Sequence, residues 1–148
     1  MRESLNRFLA DEAETLSAAA TVAQAWVAAG RSSLNIGLLG DLGAGKTTWV
    51  RGMLRGLGHQ GRVPSPTFTL VEPYRLGNLT LLHIDLYRLA QPEQELDVLG
   101  LRDAMGAPDT WVLVEWSERW PGFSGQADIQ ISLALEAAGR RVVITEKS

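Results

Sequence analysis

The sequence lacks cysteine altogether. This absence excludes disulfides, thiolate metal sites and a cysteine nucleophile. No apolar run approaches the roughly 20 residues that a membrane helix needs. The first eleven residues carry charges where a signal peptide would need an apolar core. We therefore expect a cytoplasmic protein without a membrane segment.

Lysine is scarce as well, since Lys46 and Lys147 are the only two among 14 basic residues. The 17 acidic residues give a formal net charge of −3, which does not favour non-specific binding to nucleic acid. A chain of 148 residues with 45% hydrophobic and 21% charged residues has the composition of one globular domain. It contains no repeat and no long linker, so we predict one domain over residues 1–148.

The hydrophobic pattern alternates between helical and strand periods, which is typical of an α/β fold. It predicts helices at 11–30, 46–57 and 92–101. It predicts strands at 34–39, 68–74, 79–84, 111–114, 128–135 and 141–145. Several of these strands are joined by short glycine turns, so we expect a mixed sheet flanked by helices.

The strongest motif is the segment from Gly40 to Thr47, which matches G-x-x-x-x-G-K-[ST] between a predicted strand and a predicted helix. Successive backbone amides of such a loop surround a phosphate, and the helix dipole adds positive potential. A lysine adds a full charge at the β- and γ-phosphates, and a hydroxyl ligates Mg²⁺. A glycine turn that binds nothing is the alternative, but the required position holds one of the two lysines. The predicted nucleotide contacts are Asp41, Leu42, Gly43, Ala44, Gly45, Lys46, Thr47 and Thr48.

Two acidic residues follow predicted buried strands. Glu115 follows the strand at 111–114, and Asp85 follows the strand that ends at 84. A phosphate loop needs a carboxylate that holds Mg²⁺, directly or through water. We predict Glu115 as that carboxylate and Asp85 as a second one, which holds Mg²⁺ or orients a water. A plain surface carboxylate is the alternative for each.

Thr67 lies between Pro66 and Phe68 in a loop after a glycine-rich stretch. It is either a switch residue that reaches the γ-phosphate or Mg²⁺, or part of a turn made rigid by Pro64 and Pro66.

Four further residues allow two interpretations each. His83 is a strand residue with a satisfied ring, or else a ligand or base. Arg88 contacts a phosphate or a partner, or it ends a strand in solvent. Trp116 and Trp120 belong either to the core or to a surface that faces a partner.

Four segments together resemble the TsaE family, the bacterial ATPase component of tRNA threonylcarbamoyladenosine synthesis. They are Gly40–Thr48, Ser65–Phe68, His83–Arg88 and Val114–Trp116, and the resemblance covers essentially the whole chain. It implies an ATP-binding P-loop fold with weak intrinsic hydrolysis. It also implies association with TsaB and TsaD, which install threonylcarbamoyl on adenosine 37 of tRNAs that read ANN codons. Contact with tRNA would then be indirect, through the complex.

The resemblance also implies roles for individual residues. Lys46 and Thr47 match the Walker A pair, and Glu115 matches the Mg²⁺-side glutamate. Asp85 matches the aspartate needed for hydrolysis, and Thr67 matches the switch threonine. The catalytic residues expected on this basis are Lys46, Asp85 and Thr67, and the expected metal ligands are Thr47 and Glu115.

The segment around Glu12 is similar to the stretch that lies near the adenine in this family. Phe68 stands where the family often has tyrosine, so it keeps the ring and loses a hydroxyl.

Two other functions remain as alternatives for a chain with this phosphate loop, a small-molecule kinase and a GTPase-like switch or pure binding module. A small P-loop kinase that acts on a small-molecule acceptor usually closes an arginine-bearing lid, whereas only Arg140 and Arg141 are adjacent here. A GTPase-like switch typically selects guanine with an Asn/Thr-Lys-x-Asp motif, which this sequence lacks.

Overall fold

The computed structural model describes residues 1–41, 43–64, 66, 70–87 and 89–147, apart from the side chains of residues 93 and 98. The strands are β1 (Arg2–Leu9), β2 (Ser33–Leu39), β3 (Val71–Leu76), β4 (Leu79–Asp85), β5 (Thr110–Glu115), β6 (Ile129–Glu136) and β7 (Gly139–Glu146). The α-helices are α1 (Glu12–Ala28), α2 (Lys46–Gly56), α3 (Pro92–Val98) and α4 (Pro121–Ser124), with 3₁₀ turns at Leu101–Ala104 and Ser117–Arg119. Within these described ranges, no helix has the length and apolar character needed to cross a membrane.

The strands form one mixed sheet in the order β1-β7-β6-β2-β5-β4-β3. The neighbours β6, β2, β5 and β4 are parallel to one another. The pairs β1–β7, β6–β7 and β3–β4 are antiparallel. This arrangement confirms the predicted α/β class and mixed sheet. Parallel strands end at the same edge of a sheet, so the residues that follow β2, β4 and β5 share one edge.

Strand β5 is buried on both faces and divides the core in two. Trp111 and Leu113 belong to the cluster that also contains the buried faces of α1 and α2. Val112 and Val114 belong to the cluster around Phe123. Side chains alternate between the two faces of a strand, so one continuous apolar run serves both clusters. Burial of each such side chain stabilises the fold by about 1.5–3 kcal/mol relative to exposure.

The helices predicted at 11–30 and 46–57 are confirmed as α1 and α2. Helix α3 is shorter than predicted because Gly100, with φ +72°, ends the helical path before a separate 3₁₀ turn. Strand β3 begins at Val71 and continues to Leu76, and the first part of the prediction at 68–74 lies outside the described residues.

Strand β1 was not predicted. Seven of its eight residues are exposed or half-buried, and among the described strands it pairs with β7 alone, at the edge of the sheet. A strand that faces solvent at an edge needs no alternation of apolar residues, so its sequence carries little signal. Its position matters for the site, because β1 leads directly into α1.

Candidate nucleotide site

The glycine loop connects the carboxyl end of β2 to α2. Gly40 has φ +151°, Gly43 has φ +81° and Gly45 has φ +99°. A Cβ on Gly40 would lie 2.6 Å from the Leu133 carbonyl oxygen of β6, so the loop packs against the sheet in a way that only glycine permits. A Cβ on Gly43 would meet nothing within 4 Å among the described residues, so this glycine faces open space.

Helix α2 presents its amino end to that space. Its N-cap, Gly45, provides no side-chain hydrogen bond, and its first turn contains no acidic residue. The first backbone N–H groups of a helix have no partner within the helix. The eleven-residue α2 therefore offers donors and positive potential where an anion is expected.

Asp85 ends β4 and Glu115 ends β5, and the two residues are register partners in adjacent parallel strands. Both are buried, at 5% and 3% exposure. The backbone N–H of Tyr87 donates to Asp85 Oδ1 at 2.9 Å, which fixes the orientation of that carboxylate. The sequence placed these two residues only at strand ends, whereas the structure brings them side by side.

Lys46 joins the loop to these carboxylates. Its Nζ lies 3.9 Å from Glu115 Oε1, and its side chain is 5% exposed. Within the described residues, Nζ has no hydrogen-bond acceptor. Burial lowers the pKa of Lys46, and the negative charges of Glu115 and Asp85 oppose that shift. Lys46 is therefore a desolvated ammonium group, and an anionic ligand would supply the hydrogen-bond acceptor that it lacks within the described ranges.

Trp116 also contacts the ammonium group of Lys46. The Lys46 Nζ lies 4.0 Å from the centroid of the Trp116 ring, a cation–π distance. The same ring lies 5.3 Å from that of Tyr87. Trp116 adopts φ +61°, a left-handed conformation that is uncommon for a non-glycine residue. Trp116 therefore contacts the site, whereas Trp120 is fully buried in the core.

Arg119 ties the loops after β4 and β5 together. Its guanidinium donates to the carbonyl oxygens of Leu86 at 2.7 Å and Tyr87 at 2.8 Å, and also to that of Leu89. Because Tyr87 in turn orients Asp85, this arginine supports the acidic edge of the site. Arg119 belongs to no sequence motif, because its partners are backbone atoms about 30 residues away along the chain.

A cavity of about 230 Å³ adjoins the loop on the β1 side. Its wall includes Glu12 and Thr15 of α1, Gly45, Thr48 and Arg140. Asp11 caps α1 by accepting a hydrogen bond from the N–H of Glu14 at 2.9 Å, which fixes where this helix begins. Glu12 therefore lies beside the phosphate loop, because it lines the same cavity as Gly45 and Thr48.

Arg140 was not predicted as a site residue. Its Nε would lie 3.3 Å from a Cβ placed on Gly45, so its side chain runs along the loop. The register of the β6–β7 hairpin carries it there, because Leu135 of β6 pairs with Arg140 of β7. No sequence signal indicates that register.

The remaining predicted residues are distributed as follows. Asp41 is exposed, Ala44 is buried, and Thr47 and Thr48 are half-buried on the loop and first turn of α2. Leu42 and Thr67 lie outside the described residues, and so do Ser65, Phe68 and Arg88. A second and larger cavity of about 530 Å³, which Val27, Leu57 and Leu79 help to line, contains none of these predicted residues.

The residues present fit Mg²⁺ better than a transition metal. Among the residues that the structure describes, no three His, Cys, Asp or Glu side chains are grouped to hold an ion. Mg²⁺ is usually bound by one or two carboxylate or hydroxyl oxygens together with substrate phosphates and water. Glu115 and the hydroxyl of Thr47 offer that donor set.

Strand β2, the glycine loop and α2 define a P-loop protein. The family model described as "Threonylcarbamoyl adenosine biosynthesis protein TsaE" matches residues 9–143. The chain belongs to the TsaE family.

Individual relatives agree with this assignment. The tRNA threonylcarbamoyladenosine biosynthesis protein TsaE of Haemophilus influenzae is 45% identical over 132 residues, which cover 88% of this chain and 82% of the relative. The protein of the same name from Treponema pallidum is 42% identical over 106 residues, or 72% of this chain and 76% of the relative. The crystal structure of Bacillus subtilis YdiB superposes with a TM-score of 0.75 at 28% identity, covering 100% of this chain and 89% of that one.

Proposed function

We propose that this chain, as one domain over residues 1–148, binds ATP with Mg²⁺ and hydrolyses it slowly. In this proposal it acts with TsaB and TsaD homologues in the threonylcarbamoylation of adenosine 37 in tRNAs that read ANN codons. The single observation that carries the proposal is Lys46, a buried ammonium group without an acceptor, between a glycine loop and two buried carboxylates. Family membership supports the pathway, since relatives carry the name of tRNA threonylcarbamoyladenosine biosynthesis proteins.

The proposed mechanism assigns binding to the loop. Backbone N–H groups of Gly43, Gly45 and Lys46, together with the Lys46 ammonium, would hold the β- and γ-phosphates, while the Ala44 N–H donates to the Asp41 carbonyl oxygen within the loop. Thr47 and Glu115 would hold Mg²⁺, which neutralises charge on the phosphate oxygens when bound. The cavity beside Glu12 would receive the adenine. Thr67 is proposed as the residue that senses the γ-phosphate.

Asp85 is proposed to orient the water that attacks the γ-phosphate. Its carboxylate is fixed by the Tyr87 N–H and lies at the same sheet edge as Glu115. Among described residues, the Arg119 guanidinium is occupied by three carbonyl oxygens, so it is not poised to neutralise the transition state. We propose that hydrolysis by the isolated chain is slow and that the partners stimulate it, as the resemblance to the family implies.

With a net charge of −3, the chain is not expected to bind tRNA strongly by itself. We propose that RNA contact occurs through the TsaB–TsaD complex.

The test is ATP hydrolysis by the purified chain, alone and with TsaB and TsaD homologues. Stimulation by the partners supports the proposal. Equal turnover in both cases contradicts a partner-dependent ATPase, and transfer of phosphate to a small acceptor would instead support a kinase.

Variants of the two carboxylates test the site itself. Asp85→Asn and Glu115→Gln should lower turnover more than nucleotide affinity, because Asp85 is proposed to orient the attacking water and the Mg²⁺ that Glu115 would hold neutralises charge in the transition state. Asp103→Asn, at an exposed position in the 3₁₀ turn after α3, is the matched control. Unchanged turnover in both site variants would contradict the assignment.

A further inference from the structure

His83 is a buried histidine beside the proposed Mg²⁺ carboxylate. It is fully buried in β4 and lies two residues before Asp85. Its Nε2 lies 2.5 Å from Glu115 Oε2 across the β4–β5 pair. With Glu115 as a carboxylate, which only accepts hydrogen bonds, we assign the proton of His83 to Nε2, so that Nε2 donates to Glu115.

The two oxygens of Glu115 therefore have different environments. Oε2 accepts from His83, while Oε1 lies toward Lys46 at 3.9 Å, beyond hydrogen-bond distance. Rotation of the carboxyl group would exchange the two oxygens. The bond to His83 opposes that rotation and keeps Oε1 on the side of the phosphate loop.

Packing alone does not account for an imidazole at this position. Of the other buried residues of β4, Leu81 and Ile84 are apolar, and Asp85 is the second carboxylate of the proposed site. Burial of a polar ring is unfavourable unless it is hydrogen-bonded. In the described part of the chain, His83 Nδ1 has no hydrogen-bond partner, so the bond to Glu115 is the polar contact that compensates for burial.

We propose that His83 is a positioning residue that orients Glu115 so that Oε1 is directed to the metal of a bound Mg²⁺–nucleotide. This inference rests on the proposed function, in which Glu115 holds Mg²⁺. Residues that orient a metal ligand in this way are typically responsible for about 10–100-fold in metal affinity.

The experiment compares ADP affinity with Mg²⁺ and with EDTA, measured by calorimetry. The ratio of the two affinities reports the contribution of the metal without requiring turnover. His83→Asn removes the donor near Nε2, and we expect it to lower the ratio by about tenfold while affinity in EDTA changes little. His83→Gln restores an N–H close to the Nε2 position, and we expect it to keep most of the wild-type ratio.

A double-mutant cycle with Glu115→Gln identifies the route of the effect. If His83 acts through Glu115, His83→Asn should lower the ratio no further in the Glu115→Gln background. An equal loss in both backgrounds would overturn the proposal. Equal losses for His83→Asn and His83→Gln would overturn it as well, because the donor would then not matter.

The outcomes also separate this inference from the proposed function. If Mg²⁺ does not strengthen ADP binding to the wild type, the proposed Mg²⁺ site fails. If the wild type responds to Mg²⁺ and His83→Asn responds equally, only the role of His83 fails. If neither His83 variant folds, as judged by circular dichroism and thermal unfolding, His83 belongs to the core alone and the inference is wrong.

Discussion

The ammonium group of Lys46 lies 3.9 Å from the carboxylate of Glu115, and both side chains are at most 5% exposed. The pair is close enough to interact electrostatically but is not hydrogen-bonded. In the proposed site, an arriving phosphate would compete with Glu115 for Lys46. The same step would leave Glu115 available to a metal ion.

Lys46→Ala should weaken ADP binding by at least about tenfold, because charge-assisted hydrogen bonds contribute about 1.5–3 kcal/mol. The measurement is calorimetric titration of ADP with Mg²⁺. Lys147→Ala is the matched control, since it removes the only other lysine at an exposed position. Equal ADP affinity in Lys46→Ala and the wild type would contradict the proposed phosphate site.

Gly43→Ala and Gly58→Ala form a second matched pair. Both glycines have positive φ, and a Cβ on either would meet nothing within 4 Å of the described residues. Alanine should therefore lower the free energy of unfolding by about 1–2 kcal/mol in each case. Only Gly43 lies in the phosphate loop, so only Gly43→Ala should also lose nucleotide affinity.

Chemical denaturation and ADP titration check both halves of that prediction. If both variants retain wild-type affinity, the backbone at residue 43 does not approach the phosphates.

Glu12→Ala tests the cavity beside the loop. If Glu12 accepts a hydrogen bond from the adenine amino group, its loss should weaken ADP binding about fivefold, or about 1 kcal/mol. Binding of tripolyphosphate, which has no base, should not change. Glu14→Ala is the control on the same helix, because Glu14 pairs with Arg7 at 3.8 Å, as Glu12 pairs with Arg51 at 3.4 Å, but does not line the cavity. A parallel loss of ADP and tripolyphosphate affinity would place Glu12 near the phosphates instead.

Glu146 gives a prediction about pH and stability. Burial acts to raise the pKa of this carboxyl, but the hydrogen bond from Arg31 and the charge of its guanidinium lower the pKa overall. Arg31 Nη1 lies 2.5 Å from Glu146 Oε1. A carboxyl whose pKa is lowered on folding stabilises the protein above its unfolded pKa, near 4.3, and loses that contribution as pH falls through the folded pKa.

Glu146→Gln should thus lower the free energy of unfolding by about 1 kcal/mol at pH 7. The difference from the wild type should shrink below about pH 4. Urea denaturation over a pH series measures it. Glu136→Gln, which affects an exposed pair with Arg141, is the control and should have a smaller effect at pH 7. A difference that stays constant with pH would contradict the ion-pair explanation.

The phosphate loop could be predicted from sequence because its function depends on residue types at fixed spacing within one short segment. The strand-end carboxylates could be predicted because a buried parallel strand is visible as an apolar run, and its last residue must lie at the sheet edge. These local rules located Lys46, Asp85 and Glu115.

Other parts of the site depend on how distant segments meet. Arg140 reaches the loop through the register of a hairpin, and Arg119 binds backbone carbonyls some 30 residues away. The edge strand β1 carries no apolar alternation, so its periodicity does not predict a strand. For this reason the sequence did not predict the cavity that the end of β1 lines together with Glu12. The choice between core and site for Trp116 also required the observed distance to Lys46.

The position of Trp116 gives the chain an optical reporter. Trp26, Trp49, Trp111 and Trp120 are buried, whereas Trp116 is half-buried with its ring 4.0 Å from an ammonium group. Indole emission responds to nearby charge, so any ligand that draws Lys46 away from Trp116 should alter the fluorescence of Trp116. The emission of the four buried tryptophans should stay constant. Occupancy of the site can therefore be followed in the unlabelled protein.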